Sequence, residues 1–147
     1  MSKVSAYYHI VFCTKERRMA LPLEHLDDIY RFINNELSIA KCSLLRIGGI
    51  QNHVHLLIDL HPSVALSTLM QNIKSHTGGW LRKDARFPLF DGWAREYYAA
   101  SISATHKEPV IEYIKNQRQH HLGTSFDDEL IKMYQKSNLS YDDRDLR

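Results

Sequence analysis

Hydrophobic spacing along the 147-residue chain switches between the two-residue period of a half-buried strand and the 3, 4, 7 spacing of an amphipathic helix. The order of those switches is the tightest constraint on its fold. Residues 4–13 are β-rich and predict a first strand, followed by a basic loop from Thr14 to Arg18. Leu26, Ile29, Tyr30, Ile33, Leu37 and Ala40 mark a helix over about 23–40. Cys42 to Ile50 reads as a second strand, and a short Gln51-Asn52 turn leads into a third, His53 to Leu60, with Val54, Leu56, Ile58 and Leu60 on one face. Pro62-Ser63 opens a second helix, whose last turn Gly78-Gly79 weakens. Residues 96–103 predict a fourth strand. Thr105 and Glu108 have the spacing of a capping box for a third helix, and Pro109 offers an alternative start. That helix carries Val110, Tyr113, Ile114 and Gln117, and a last one spans about Phe126 to Gln135, packing Leu130, Ile131 and Tyr134.

Strand, helix, strand, strand, helix, strand is the order of a ferredoxin-like or RNA-recognition-like α+β sandwich. The expected fold is an antiparallel four-stranded sheet with two crossover helices on one face, plus C-terminal helices carrying the tyrosine. The other sheet face is expected to stay open for a site. The length suits one domain, residues 1–147, large enough to bury a core. The polar end from Asn138 to Arg147 is expected to fray. No apolar run reaches membrane-span length and no signal-peptide run opens the chain, so a cytoplasmic location is expected. Cys13 and Cys42 read as small buried hydrophobes in strands. A net charge of +2 neither demands nor excludes nucleic acid, so charge placement decides.

His53-Val54-His55 carries the chemistry. Residues two apart on a strand share a face, so both imidazoles emerge together while Val54 turns into the core. Two adjacent neutral imidazoles suit a divalent metal ion. Tyr113 and Gln117, four apart on a helix, are neighbours on one side of it. A phenol with a pKa near 10 becomes a useful nucleophile when a metal ion polarises the phosphate it attacks.

Taken together, Gly49-Ile50-Gln51-Asn52-His53-Val54-His55-Leu56-Leu57-Ile58 and the downstream Val110-Ile111-Glu112-Tyr113-Ile114-Lys115-Asn116-Gln117 resemble the single-tyrosine transposases of the insertion-sequence 200/605 type. These include enzymes associated with repetitive extragenic palindromes, within the superfamily named for its His-hydrophobic-His motif. Tyr8 to Phe12 with Thr14-Lys15 and Arg17-Arg18 is similar to that family's first strand and basic loop, and the resemblance runs from about Tyr7 to His121. Asn52 departs from it, standing where Asp is common.

The resemblance implies roles. His53, His55 and Gln117 match the ligands of Mg²⁺ or Mn²⁺, and Tyr113 matches the nucleophile that forms a 5′-phosphotyrosine link to single-stranded DNA at hairpin-bearing ends. It also implies a homodimer in which the tyrosine helix of one chain completes the metal site of the other. Phosphate contacts are expected from Lys15, Arg17, Arg18, Lys74, Arg82, Lys83, Lys115 and Arg118. Trp80, Phe87, Phe90 and Trp93 are candidates for stacking on bases, with core packing expected for at least two of them. His120-His121 would touch phosphate or decorate a helix end. The alternatives are a domesticated nucleic-acid-binding module without cleavage, and a replication-initiator or relaxase-type nickase. The Tyr-x-x-x-Gln spacing favours the transposase branch.

Overall fold

The computed structural model of the chain describes residues 1–142 and 144. Its strands are β1 (Tyr7–Cys13), β2 (Ser43–Ile50), β3 (His53–Asp59) and β4 (Tyr98–Ile102). Its helices are α1 (Leu26–Ile39), α2 (Leu66–Lys83), α3 (Lys107–Lys115), α4 (Gln117–His120) and α5 (Phe126–Lys136). The sheet order is β2-β3-β1-β4 and every neighbouring pair is antiparallel, which is the ferredoxin-like sandwich the sequence predicts.

On one face Ile10, Phe12, Val54, Leu56 and Ile58 meet the apolar stripes of α1 and α2. Each such side chain, fully buried, contributes about 1.5–3 kcal/mol. Phe87 and Phe90 are buried in this layer and Trp93 packs against it, donating Nε1–H to Thr77 Oγ1 at 2.9 Å. Trp80 stacks on Phe32, with ring centroids 4.9 Å apart. All four aromatics once open to base stacking therefore serve the core. Cys13 and Cys42 are buried free thiols.

The second face is not open, contrary to expectation. Val11, Cys13 and Tyr98 pack under Phe126, Leu130 and Met133 of α5. Leu57 packs under Val110 and Ile114 of α3. The sheet therefore has helices on both sides, and Ile10 to Cys13 and His53 to Ile58 are buried without alternation. The unbroken apolar run Ile10-Val11-Phe12-Cys13 is the pattern of a strand covered twice.

Local boundaries differ for identifiable reasons. A 3-10 turn, Leu23–His25, precedes α1, and α2 begins at Leu66 and runs through Gly78-Gly79 to Lys83. The capping box does not form: α3 starts at Lys107 after a 3-10 turn, with no side-chain cap. Pro109 is then the third helical residue, where the missing N–H has no intrahelical acceptor to lose. The tail expected to fray is held at Tyr141, whose hydroxyl accepts from Arg17 Nη2 at 3.3 Å and whose ring meets Tyr134. Residues 143 and 145–147 of that tail lie outside the described residues. No helix among the described residues is long and apolar enough to cross a membrane.

Gly48 on β2 fixes how closely α3 approaches the sheet. A Cβ built there would lie 2.4 Å from the Ile114 carbonyl oxygen. Gly48→Ala is expected to lower stability by about 1–3 kcal/mol, because the backbone of the tyrosine helix must shift. Gly79→Ala, where a Cβ meets nothing within 4 Å, is expected to raise stability by about 0.5–1 kcal/mol. Urea unfolding midpoints of the two variants check both signs. Equal shifts would mean that helix and sheet do not meet at Gly48.

Candidate metal and tyrosine site

His53 and His55 project from β3 beneath the roof formed by α3, α4 and α5, and both are fully buried. Tyr113 comes from α3 and Gln117 from α4. The tyrosine helix does not continue through Gln117 as expected: Asn116, at φ −97 and ψ 22, interrupts it after Lys115. The side chains still meet, because the Asn116 N–H reaches Glu112 O at 3.1 Å and keeps the turn tight.

The centre of the cluster is Glu129, on α5. Its Oε1 lies 3.3 Å from His53 Nε2, 3.2 Å from His55 Nε2 and 3.1 Å from His121 Nε2. Its Oε2 accepts hydrogen bonds from the Tyr113 hydroxyl and, at 2.9 Å, from Gln117 Nε2. His120 Nε2 stands 3.5 Å from the same oxygen. Gln117 Oε1 is 3.0 Å from His53 Nε2 and 3.1 Å from His121 Nε2. The structure thus brings His53, His55, Gln117 and Tyr113 together within one chain. The trans arrangement implied by the resemblance is not what the chain adopts, because α3 packs onto β2 and β3 of its own sheet.

Outer contacts orient the rings. Asn52 Nδ2 donates to Arg17 O at 3.5 Å, so its Oδ1 is the atom that accepts from His53 Nδ1 at 2.8 Å. His121 Nδ1 donates to the Thr124 carbonyl at 2.7 Å. His55 Nδ1 meets His9 Nε2 at 2.9 Å. His53 and His121 in their neutral forms therefore turn lone pairs inward, at oxygens of Gln117 and Glu129 that are themselves acceptors. Such a set is incomplete without positive charge at its middle, from protons or from a cation. His53, His55 and Glu129 form a buried group able to hold a metal ion, and so do His120, His121 and Glu129. The residues fit a divalent ion.

Electrostatics follow from burial. Burial lowers His53 to about 4 and His9 to about 3, so both are neutral at pH 7. Burial also pushes the Tyr113 phenol well above its ordinary value, and the Glu129 charge adds to this, so the phenol holds its proton. Burial alone would raise Glu129, but hydrogen bonds with His121, His53 and His55 outweigh it and hold the carboxyl far below the carboxylate range. His121 is lowered by burial and raised more by Glu129.

These shifts predict acid sensitivity. A histidine kept neutral by the fold stabilises it fully above the unfolded value of 6.5, and that contribution is lost as pH falls toward 4 for His53 and 3 for His9. Glu129 acts in the same direction below its model value of 4.5, whereas His121 opposes it weakly. The metal-free protein should therefore lose roughly 1.4 kcal/mol per pH unit for each such histidine between pH 6.5 and 4. Urea unfolding at pH 7 and pH 5 measures it, and an unchanged midpoint would refute the neutral buried pair.

The basic residues are dispersed. Lys15 and Arg18 are exposed and share Asp91, at 3.9 and 3.5 Å, beside the Asn52 turn. Arg17 pairs with Asp127, its side chain is only 8% exposed, and it lies over the Phe126 ring, which stacks on His53 at 3.9 Å. It therefore offers little surface to a phosphate. Lys74, Arg82 and Lys83 are on α2, across the sheet from the imidazoles, and Lys74 Nζ donates to Arg95 O at 2.7 Å. Lys115 and Arg118 are exposed on the tyrosine side. A cleft of about 800 Å³ opens beside Tyr113, lined by His9, Tyr98, His120, Glu129, Lys132 and Lys136 among others.

Sequence reasoning missed Glu129, His121 and His9. Glu129 had a visible signal: it sits within the apolar stripe Phe126, Leu130, Met133, Tyr134 of an amphipathic helix, where a carboxylate belongs only if something pairs with it. Ser125 Oγ caps that helix by accepting from Asp128 N at 3.1 Å, so the stripe could be phased from sequence. His120 and His121 turn toward Glu129 and do not merely decorate a helix end.

The family model described as "Transposase IS200 like" matches residues 2–117. The transposases for insertion sequence element IS200 of Salmonella typhimurium (strain LT2) and Salmonella typhi are each 25% identical over 115 residues, covering 75% of this chain and 75% of theirs. Two solved structures share the fold. One is a candidate transposase from Deinococcus radiodurans R1, with TM-score 0.59 and 20% identity, covering 80% of this chain and 95% of that one. The other is a REP-associated tyrosine transposase bound to a REP hairpin, with TM-score 0.61 and 14% identity, covering 82% and 74%.

Proposed function

The chain belongs to the IS200-like transposase family, a family of DNA-cleaving enzymes, and from that premise we propose that it cuts and rejoins single-stranded DNA through Tyr113. The observation that carries this reading is the shared carboxylate. The Tyr113 phenol donates to one oxygen of Glu129, and the other oxygen stands 3.2–3.3 Å from His55 and His53. Nucleophile and metal donors are thus within one carboxylate's width.

In this mechanism the phenol oxygen attacks the scissile phosphorus. The new Oη–P bond leaves a 5′-phosphotyrosine as the P–O3′ bond breaks and the 3′-oxygen takes up a proton. The phenol proton has an acceptor already in place, Glu129 Oε2. An incoming 3′-hydroxyl reverses the step, restores the phenol and seals a new junction, so the phosphodiester energy is retained. His53, His55 and Gln117 would hold Mg²⁺ or Mn²⁺, which supplies Lewis-acid charge to the phosphate when bound. His9 and Asn52 position His55 and His53 through their outer nitrogens. Lys15, Arg18, Lys115 and Arg118 are the basic residues on this side of the sheet available to the DNA backbone; Arg17, Lys74, Arg82 and Lys83 would contribute less directly.

We take residues 1–147 as one catalytic domain that acts in cis, so a homodimer would carry two complete sites. Hairpin-bearing DNA is the proposed substrate class, by analogy with the REP hairpin held by the structural relative.

The test is a covalent adduct. The protein is incubated with hairpin-bearing single-stranded DNA and Mg²⁺ or Mn²⁺, then run on a denaturing gel. A shifted band that chelator abolishes is expected. Absence of any adduct, with the flanking genomic palindromes supplied as substrate, would sink the proposal.

A further inference from the structure

The family match ends at Gln117, yet two groups at the heart of the cluster, His121 and Glu129, lie beyond it. Neither behaves as a bystander. His121 presents Nε2 inward because Thr124 O, which can only accept, fixes the proton on Nδ1 at 2.7 Å. This is the outer-nitrogen arrangement that readies an imidazole for a metal. Glu129 is 2% exposed, and its ion-pair contacts are with histidines alone, His53, His55, His120 and His121, with no lysine or arginine among the described residues. A buried carboxylate among mostly neutral rings is costly unless a cation completes it.

The spacings fit one ion. Two donors held about 2.1 Å from a metal stand about 3.0 Å apart at a right angle and about 3.4 Å apart at the tetrahedral angle. Glu129 Oε1 lies 3.1, 3.2 and 3.3 Å from the inward nitrogens of His121, His55 and His53.

We propose that His121 and Glu129 are metal ligands together with His53 and His55, and that this three-imidazole, one-carboxylate centre selects a first-row transition ion over Mg²⁺. The inference rests on the metal site of the proposed function and changes its composition. Imidazole suits Mn²⁺, Co²⁺ and Zn²⁺, with affinity rising along that part of the transition series, whereas Mg²⁺ favours oxygen ligands and keeps its waters. Gln117, whose Nε2 already donates to Glu129, then orients the carboxylate as well as offering its own oxygen.

The test uses the full-length chain and Co²⁺ alone, with visible ligand-field absorption as readout and Mg²⁺ as competitor. Wild type is expected to bind one Co²⁺ with the spectrum of a nitrogen-rich site, undisplaced by about a hundredfold excess of Mg²⁺. His121→Gln and Glu129→Gln should each weaken Co²⁺ binding by about tenfold or more and alter the spectrum. Should either variant misfold by circular dichroism, ¹⁵N NMR of wild-type imidazoles with Zn²⁺ gives the same answer: His121 Nε2 must shift with His53 and His55. If His53→Ala abolishes Co²⁺ binding while both glutamine variants bind as wild type, or His121 Nε2 stays unshifted, the inference falls and the His53, His55, Gln117 set stands. Displacement of Co²⁺ by equimolar Mg²⁺ overturns the selectivity. Failure of wild type to bind Co²⁺ or Mg²⁺ removes the metal site altogether.

Discussion

Tyr113→Phe is expected to abolish the covalent protein–DNA adduct and to lower strand cleavage by roughly a million-fold, to background. Phenylalanine keeps the ring that packs beside His55 and His120 but has no oxygen to esterify. The change also removes a donor from the buried Glu129 carboxylate, which should reduce stability by about 1–3 kcal/mol. The assay therefore belongs well below the unfolding temperature, with circular dichroism alongside. Binding of uncleaved hairpin DNA should persist, because phosphate contacts come from other residues. An adduct that survives the substitution would transfer the role to another phenol. Tyr98, the nearest alternative on this face, shares a hydrogen bond with Ser137 at 2.5 Å and meets no metal-site donor except His9.

Mixing Tyr113→Phe chains with His53→Ala chains is expected to restore no cleavage. Each mixture contains an intact tyrosine and an intact histidine pair, but on different chains. The structure ties them within one chain: the phenol reaches its own Glu129, Ile114 and Val110 pack on its own Leu57, and Gly48 admits the helix backbone. Exchange of the tyrosine helix between chains would uncover Leu57 and break these contacts. Co-expression of the two variants, purification of mixed species and the adduct assay decide it. Recovery of cleavage well above either variant alone would show that the helix swaps in solution.

Part of this site was readable before any coordinates. His53 and His55 share a face because a strand allows nothing else, and Val54 between them is buried on the opposite side. Tyr113 and Gln117 fell together because they lie one helical turn apart, and the break at Asn116 was too tight to separate them. His9 was not readable as a partner of His55. That contact depends on the β1–β3 register, which pairs Val11 with His55 and places His9 diagonally two residues away, too far along the chain for local spacing to reveal. Glu129 was visible only as an anomaly, an acid within an apolar stripe, because the groups that justify it lie more than 70 residues away at His53 and His55.

By itself the sequence determined the alternation of strands and helices, the face of each strand and the pairing of tyrosine with amide, since these follow from periodicities of 2 and 3.6 residues acting locally. Only the tertiary structure decided that α5 closes over the second face of the sheet, bringing Glu129 and His121 onto the imidazole pair and keeping Tyr113 in its own chain. The physical reason is that apolar residues on that face, Val11, Cys13 and Leu57, must be covered by something. Which helix covers them is set by shape and chain connection across the whole fold, not by spacing within any one segment.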